Sequence, residues 1–441
     1  MKPSASSIPA TRLTRRRMLQ LSALTGAAAT LPPAAYAIAG DRADTTRASA
    51  IAVLLGNVRK LPQYDVPMLV EGAVYPGVWM ECGPLEALVY AKLGRIIPST
   101  AGPTPLQVAR ANHMAFFKVQ HEDGQIPSSI KLSGEVGFGQ IQMVVPIAAT
   151  AWELAKMSKD EELLTTAYAA CARWDAFLLR YRNTRGTGLT EGFCTYDSGM
   201  DNSPRWAGIP NRCPDNDARK SPPIASMPRL CPDLSATTYG ARIALAAMAR
   251  ELGKMDDAAR WEESAEHIRT LILDKLWSEE DACFFDLDAQ GKFVKVRSIV
   301  NARVLSEHVL KLEHPRDRSI FQALWTRQLG NPEAFWTKFP FPSSALNEPT
   351  FVRPIPRNSW GGASQALTAL RTSRWMAHYG KQKEHVTLMR AWVEAIERSG
   401  GFRQQMDPLT GDFTMIDPSG YSPAALVYLD FVRQLNSHTN G

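Results

Sequence analysis

A chain of 441 residues can bury a large core, and by length alone it could hold two or three domains. The formal net charge is +6, but Lys2, Arg12, Arg15, Arg16 and Arg17, with no acid among residues 1–37, supply five of those charges. The remaining chain is close to neutral at +1, which gives no electrostatic ground for a nucleic-acid or anionic-membrane partner.

The basic start has an ordered pattern. "TRRRMLQ" (Thr14 to Gln20) matches the twin-arginine export signature, an apolar stretch Leu21–Leu31 follows, and "AYA" (Ala35 to Ala37) supplies a small-x-small cleavage site. Residues 1–37 are therefore read as a twin-arginine signal peptide, and the mature protein as periplasmic or secreted. No other stretch approaches the ~18 apolar residues of a membrane span, so no membrane association is expected after signal removal.

Beyond the signal the chain reads as paired helices. Pro146 to Tyr181, Ala244 to Leu273 and Thr368 to Ile396 each carry apolar residues at three-and-four spacing on both sides of a polar break. Gly253 and Gly380 mark stops inside the second and third pairs. Three helical hairpins of similar length predict a helical repeat within one domain over residues 45–437. Between them lie two long aperiodic segments, 184–235 and 332–362, rich in Pro, Gly, Trp and Arg. Loops of that length in a compact domain are usually functional, and their aromatic content argues against disorder. Ala282 to Ser298 reads as a short β-hairpin turning at Gln290-Gly291.

No cofactor is expected. The eight histidines form no H-E-x-x-H, the six cysteines form no C-x-x-C, and no glycine-rich phosphate loop follows a strand. In an oxidising destination Cys213 and Cys231 could staple the proline-rich loop between them, while Cys171 and Cys283 read as buried thiols.

The densest polar stretch is "TYDSGMDNSPRW", Thr195 to Trp206. Pro204 prevents a continuous helix, so Asp197, Asp201, Asn202, Arg205 and Trp206 sit on a loop. Glycoside cleavage needs a pair of carboxyls about the scissile bond, one protonated to serve the leaving oxygen, and donors for sugar hydroxyls. Asp201 beside Met200 fits the proton donor, with Asp197, Asn202, Arg205 and Trp206 as substrate-binding candidates. Trp79 and Glu81 in "GVWMECGP", Gln140 and Gln142 in "GFGQIQ", and Trp360 in "RNSWGG" are further candidates, because indole faces stack on sugar C–H surfaces and Glu and Gln hold hydroxyls.

"DSGMDNSPRW" resembles the acid-bearing loop of glycoside hydrolase families 63 and 37, the group of glucosidases, mannosylglycerate-hydrolase-like enzymes and trehalases. "DGQIP" (Asp123 to Pro127), "LWSEEDACFFDLD", "FRQQMDPLTGDF" and "YSPAALVYL" resemble further segments of that group in the same order, so the likeness spans most of residues 70–435. The resemblance implies an all-α (α/α)6 toroid with long loops at one end. It also implies an inverting hydrolase acting on a small α-linked glucoside or mannoside, with Asp201 aligned to the catalytic acid. The catalytic base of the group is the Glu of F-x-E-x-Y; here that position is Gln404, and the Tyr is Met406. A neutral amide can orient water but cannot take its proton. Asp407 is the first substitute, with Glu81 and Asp197 as alternatives, and Gln404 is left as a substrate-binding residue. Two other readings follow: a non-catalytic carbohydrate-binding descendant, and a different (α/α)6 carbohydrate-active enzyme such as a lyase or epimerase.

Overall fold

In the computed structural model, which describes residues 33–98, 102–353, 360–415 and 418–439, the hydrophobic periodicity resolves into twelve α-helices among the described residues. They are α1 (Pro33–Asn57), α2 (Gly83–Lys92), α3 (Pro105–Lys118), α4 (Ile147–Ser158), α5 (Glu161–Tyr181), α6 (Pro232–Glu251), α7 (Met255–Lys275), α8 (Val300–Ser306), α9 (Pro315–Leu324), α10 (Ala366–Thr372), α11 (Gln382–Ser399) and α12 (Ser422–Thr439).

Two sequence types separate into two rings. The helices α2, α8 and α10 are buried almost throughout, polar Glu86, Asn301, Arg303 and Arg371 included, because each is surrounded by protein. By contrast α11 buries only His385, Leu388, Met389, Trp392, Ala395 and Ile396, a stripe at three-and-four spacing, and leaves its charged residues in water. The inner helices neighbour one another in the order α2, α4, α6 and α8, and α10 packs on α12, which packs back on α2. The outer helices α3, α5, α7 and α11 each lie against an inner partner. This is the (α/α)6 toroid.

The chain divides into two units, residues 1–45 and 46–441. Of the first, the described part is the opening of α1. The twin-arginine motif and the apolar run that follows it lie outside the described residues, and Ala35 to Ala37 fall within the helical Pro33–Asn57 segment. No helix among the described residues is long and apolar enough to cross a membrane.

The predicted pairs appear with one change. α4–α5 and α6–α7 match the first two hairpins, and Gly253 takes the left-handed conformation (φ 72°) expected of a stop. In the third, α10 ends at Thr372 and the chain reaches the left-handed Gly380 (φ 71°) through turns rather than helix. The β-hairpin is present, with Asp286 opposite Val294 and Leu287 opposite Phe293, turning at Gly291 (φ 75°).

The topology sets up the site. Every inner helix is entered from the same kind of segment: a short strand or aperiodic loop that ends at its N-terminus. Trp79 and Glu81 precede α2, Gln140 and Gln142 precede α4, Asp201 lies in the long loop before α6, Trp360 precedes α10, and Gln404 precedes α12. Two small sheets tie these segments together. Gly77–Trp79 pairs with Ser129–Lys131, and Ser364–Gln365 pairs with Gln405–Met406.

Candidate active site

The inner-helix entry loops surround a cavity of about 320 Å³. Of the residues singled out from sequence, Trp79, Glu81, Gln140, Gln142, Asp201, Trp360 and Gln404 line it. They come from segments far apart in the chain, so only the closed ring brings them together.

Glu81 is 7 % exposed and is held by a relay of amides. Gln142 Nε2 donates to Glu81 Oε2 at 3.1 Å, and Gln140 Nε2 donates to Gln142 Oε1 at 3.2 Å. Gln142 takes a left-handed backbone (φ 45°), a conformation that costs a non-glycine residue energy and is found where a side chain must be aimed. Gly199 (φ 61°) lies so close to Glu81 that a Cβ there would overlap Glu81 Oε2. Glu81 therefore rests against the backbone of the loop that carries Asp201, two residues away. Burial raises the Glu81 pKa, with the Arg371 guanidinium as the main opposing influence.

On another part of the wall, Tyr75 Oη donates to Gln404 Oε1 at 2.9 Å and stacks edge-on against Trp79, with ring centres 5.6 Å apart. Glu71 also lines the cavity, and Tyr421 Oη donates to its Oε1 at 2.8 Å. Burial, then the nearby Glu86 and Glu81 carboxylates, push the Glu71 pKa well above the usual carboxylate range. Behind it, burial lifts Glu86 to about 7. At the rim, Lys131 pairs with Glu135 at 2.7 Å, and Tyr196 and Arg212 complete that side.

Five sequence assignments are corrected. Asp197 does not line the cavity. It is fully buried, paired with Arg182 (Nη2 to Oδ1, 3.1 Å), and accepts the amides of Ile141, Phe193 and Cys194 at 2.9, 2.7 and 3.2 Å. Arg205 is buried too, clasping Asp233 (3.0 Å) and Asp286 (2.8 and 3.0 Å) in two bidentate pairs. Trp206 is 2 % exposed, donates from Nε1 to Ser198 Oγ at 2.8 Å, and has Arg205 and Arg229 near its ring. Asp407 serves its own turn, accepting the amide of Leu409 at 2.8 Å and pairing with Arg353 at 3.0 Å. Asn202 has a supporting role: its Oδ1 accepts the Trp360 amide at 2.7 Å and so fixes the tryptophan that lines the cavity. The cysteine expectation changes as well, because Cys213 meets Cys194 rather than Cys231, Sγ to Sγ 3.6 Å.

The polar loop is thus a knot. Its short helical turns Thr195–Ser198 and Pro204–Trp206 point Asp197, Arg205 and Trp206 inward as anchors, while Asp201 between them reaches the cavity. Glu71 and Tyr75 were not found from sequence. Their stretch, "MLVEGAVYPG", has the Gly/Pro-rich, aperiodic character of the other site loops, and that was the available signal.

A toroid of paired helices whose loops at one end deliver carboxyls, amides and indoles into a sugar-sized cavity defines a glycosidase of the six-hairpin class. Residues 105–423 match the family model described as "Mannosylglycerate hydrolase MGH1-like glycoside hydrolase domain", and the chain belongs to that family of glycoside hydrolases. Among solved structures, it is similar to the GH63 mannosylglycerate hydrolase of Thermus thermophilus in complex with Tris, with 20 % identity and a TM-score of 0.69 over 88 % of this chain and 100 % of that one. The neutral trehalase of Saccharomyces cerevisiae matches at 16 % identity and a TM-score of 0.63, covering 89 % of this chain and 80 % of that one. A bacterial glucoamylase complexed with acarbose matches at 15 % identity and a TM-score of 0.52, covering 82 % and 49 %. No curated protein sequence matches the chain.

Proposed function

We propose that this glycosidase is exported, that it cleaves a small α-linked glucoside or mannoside with inversion, and that Asp201 is its proton donor. The observation that carries the reading is the placement of Asp201 at the tip of a buried, doubly anchored loop, facing a cavity lined by Trp79 and Trp360. At about 320 Å³ the cavity suits a mono- or disaccharide rather than a polymer in cross-section. The T. thermophilus structures that share the fold include complexes with glucose and with Tris and D-glycerate. That supports a small glycoside as substrate.

An inverting enzyme needs its second carboxylate across the bond from the acid, roughly 6.5–9.5 Å from it, with room for a water. Gln404 cannot take the proton, and Asp197 and Asp407 are committed elsewhere. Glu81 leans on the acid's own loop. Glu71 instead lies with Tyr75, Tyr421 and Gln404, on the part of the wall where the family keeps its base. Glu71 is therefore assigned as the base, with Gln404 orienting the water and Glu81 holding sugar hydroxyls.

Glu71→Gln should lower kcat by about 10²–10⁴-fold with little change in sugar affinity, whereas Glu81→Gln should act mainly through KM. A base must be ionised, and the Glu71 pKa is raised, so activity should climb with pH through a limb displaced above the ordinary Glu value of about 4.3. That limb belongs to the Glu71–Glu86 pair and should move down in Glu86→Gln, which removes one of the repelling charges. Full turnover in Glu71→Gln would reassign the base. Proton NMR of the first-formed sugar from an α-glycoside should show the β-anomer; the α-anomer would exclude inversion.

The export route rests on "TRRRMLQ". Exchanging Arg15 and Arg16 for Lys should hold the protein in the cytoplasm, as fractionation would reveal, and unchanged export would refute the route.

A further inference from the structure

All six cysteines are free and buried, but two of them are not isolated. The Sγ atoms of Cys194 and Cys213 lie 3.6 Å apart, in van der Waals contact, in a small apolar cluster with Phe193. Cys194 opens the turn that leads into Asp201, and Cys213 closes the same loop on its far side. Between them the chain contributes Tyr196, Gly199, Asp201 and Arg212 to the cavity wall.

From this geometry we infer that Cys194 and Cys213 are a redox-active pair which, when oxidised, closes a disulfide around the acid-bearing loop. The two thiols and the Asp197 carboxylate are close enough together to raise the alternative of a metal ion. Asp197 argues against it. Its oxygens are already occupied by the Arg182 guanidinium and three backbone amides, and Arg182 Nη2 also points at Cys213 Sγ, 3.6 Å away. A cation would have to displace a buried cation, whereas a disulfide is neutral and needs the two Sγ atoms, now 3.6 Å apart, to close to about 2.05 Å. The remaining cysteines have other surroundings: Cys231 Sγ donates to the Arg229 carbonyl, and Cys283 contacts Asn301.

The chemistry is exchange with a disulfide oxidant, represented in vitro by oxidised glutathione. A thiolate of the pair attacks the oxidant and releases one thiol, leaving a mixed disulfide. The second protein thiolate then displaces the other half. Two protein thiols are oxidised to one disulfide, the oxidant is reduced to two thiols, and the two protons pass to those leaving thiols. Burial raises the Cys194 pKa and so suppresses its thiolate. Oxidation of the folded protein is therefore slow and proceeds through local opening of the loop. Tethering Cys194 to Cys213 removes conformational freedom from the unfolded chain and limits the excursions of Asp201 in the folded one.

The test uses the full chain and needs no knowledge of its substrate. Protein held with oxidised glutathione for hours, then alkylated and digested with trypsin without reduction, should give a cross-link between peptides 186–205 and 213–219, which contain Cys194 and Cys213. Its melting temperature should lie on the order of 3–6 °C above that of the reduced protein. Reductant should abolish both the cross-link and the increment, and Cys213→Ser should never show either. Cross-linking of either peptide to the Cys231 peptide, or both thiols recovered fully alkylated after oxidation of the wild type, would overturn the proposal. Because mass and melting temperature are the readouts, an inactive protein would not confound it.

Discussion

Asp201→Asn is expected to cut turnover of an unactivated glycoside by about 10²–10⁴-fold while leaving the fold and sugar binding intact. The amide keeps the shape and hydrogen-bonding capacity of the carboxyl but has no acidic proton to give. The loop should not collapse, because what fixes it lies on either side: the buried Asp197–Arg182 pair before the acid and the Arg205 clasp after it. Circular dichroism and calorimetric titration with the product sugar should therefore match the wild type. A variant that turns over normally would remove Asp201 from the chemistry, and one that fails to fold would make it a further anchor.

The second large effect is on stability. Arg205→Met should destabilise the protein by about 3–5 kcal/mol at pH 7, since removing one partner strands a buried charge. Asp233 keeps a second cation in Arg303 at 3.2 Å, so Asp286 is the carboxylate left without its main counter-charge. Burial already raises the Asp286 pKa, and Arg205 is the largest influence opposing that rise. Without Arg205 the folded protein would bind a proton at Asp286 more tightly than the unfolded chain does. The Asp286 share of the deficit is then absent at low pH and grows as pH rises through the wild-type folded pKa, which already lies above the unfolded value. Denaturant melts of wild type and variant at pH 4 and pH 7 should show the gap widening with pH. A loss below about 1 kcal/mol at pH 7 would mean that the clasp is replaceable by water.

These two outcomes separate residues that looked alike in sequence. Asp197, Asp201 and Arg205 occur within nine positions, all polar, all on a stretch without period. Local sequence marks such a stretch as special but does not encode which side each residue faces. That is decided by two single-turn helices and by partners far away, Arg182, Asp233 and Asp286. Asp407 stands three residues after Gln404 in the chain but not beside it in the site. The Gln405–Met406 strand intervenes, and Asp407 falls in the turn beyond it. Glu71 was invisible for the opposite reason. Its partner Tyr421 is 350 positions away, and only the closure of α12 against α2 makes them neighbours.

The fold was more legible, because amphipathic outer helices leave a 3.6-residue signature whatever they pack against. The inner helix α8 did not announce itself. It has seven residues, all buried, polar Asn301, Arg303 and Ser306 included, so it has no solvent-facing side to generate a period.

The central claim, that Asp201 delivers a proton to the leaving oxygen, is tested most directly by the ratio of wild-type to Asp201→Asn kcat/KM across a series of α-glycosides of graded leaving-group pKa. A nitrophenolate departs with little help and an alkoxide needs a proton, so the ratio should climb from near one toward about 10²–10⁴ along the series. A ratio that stays flat, whether large or small, would contradict it.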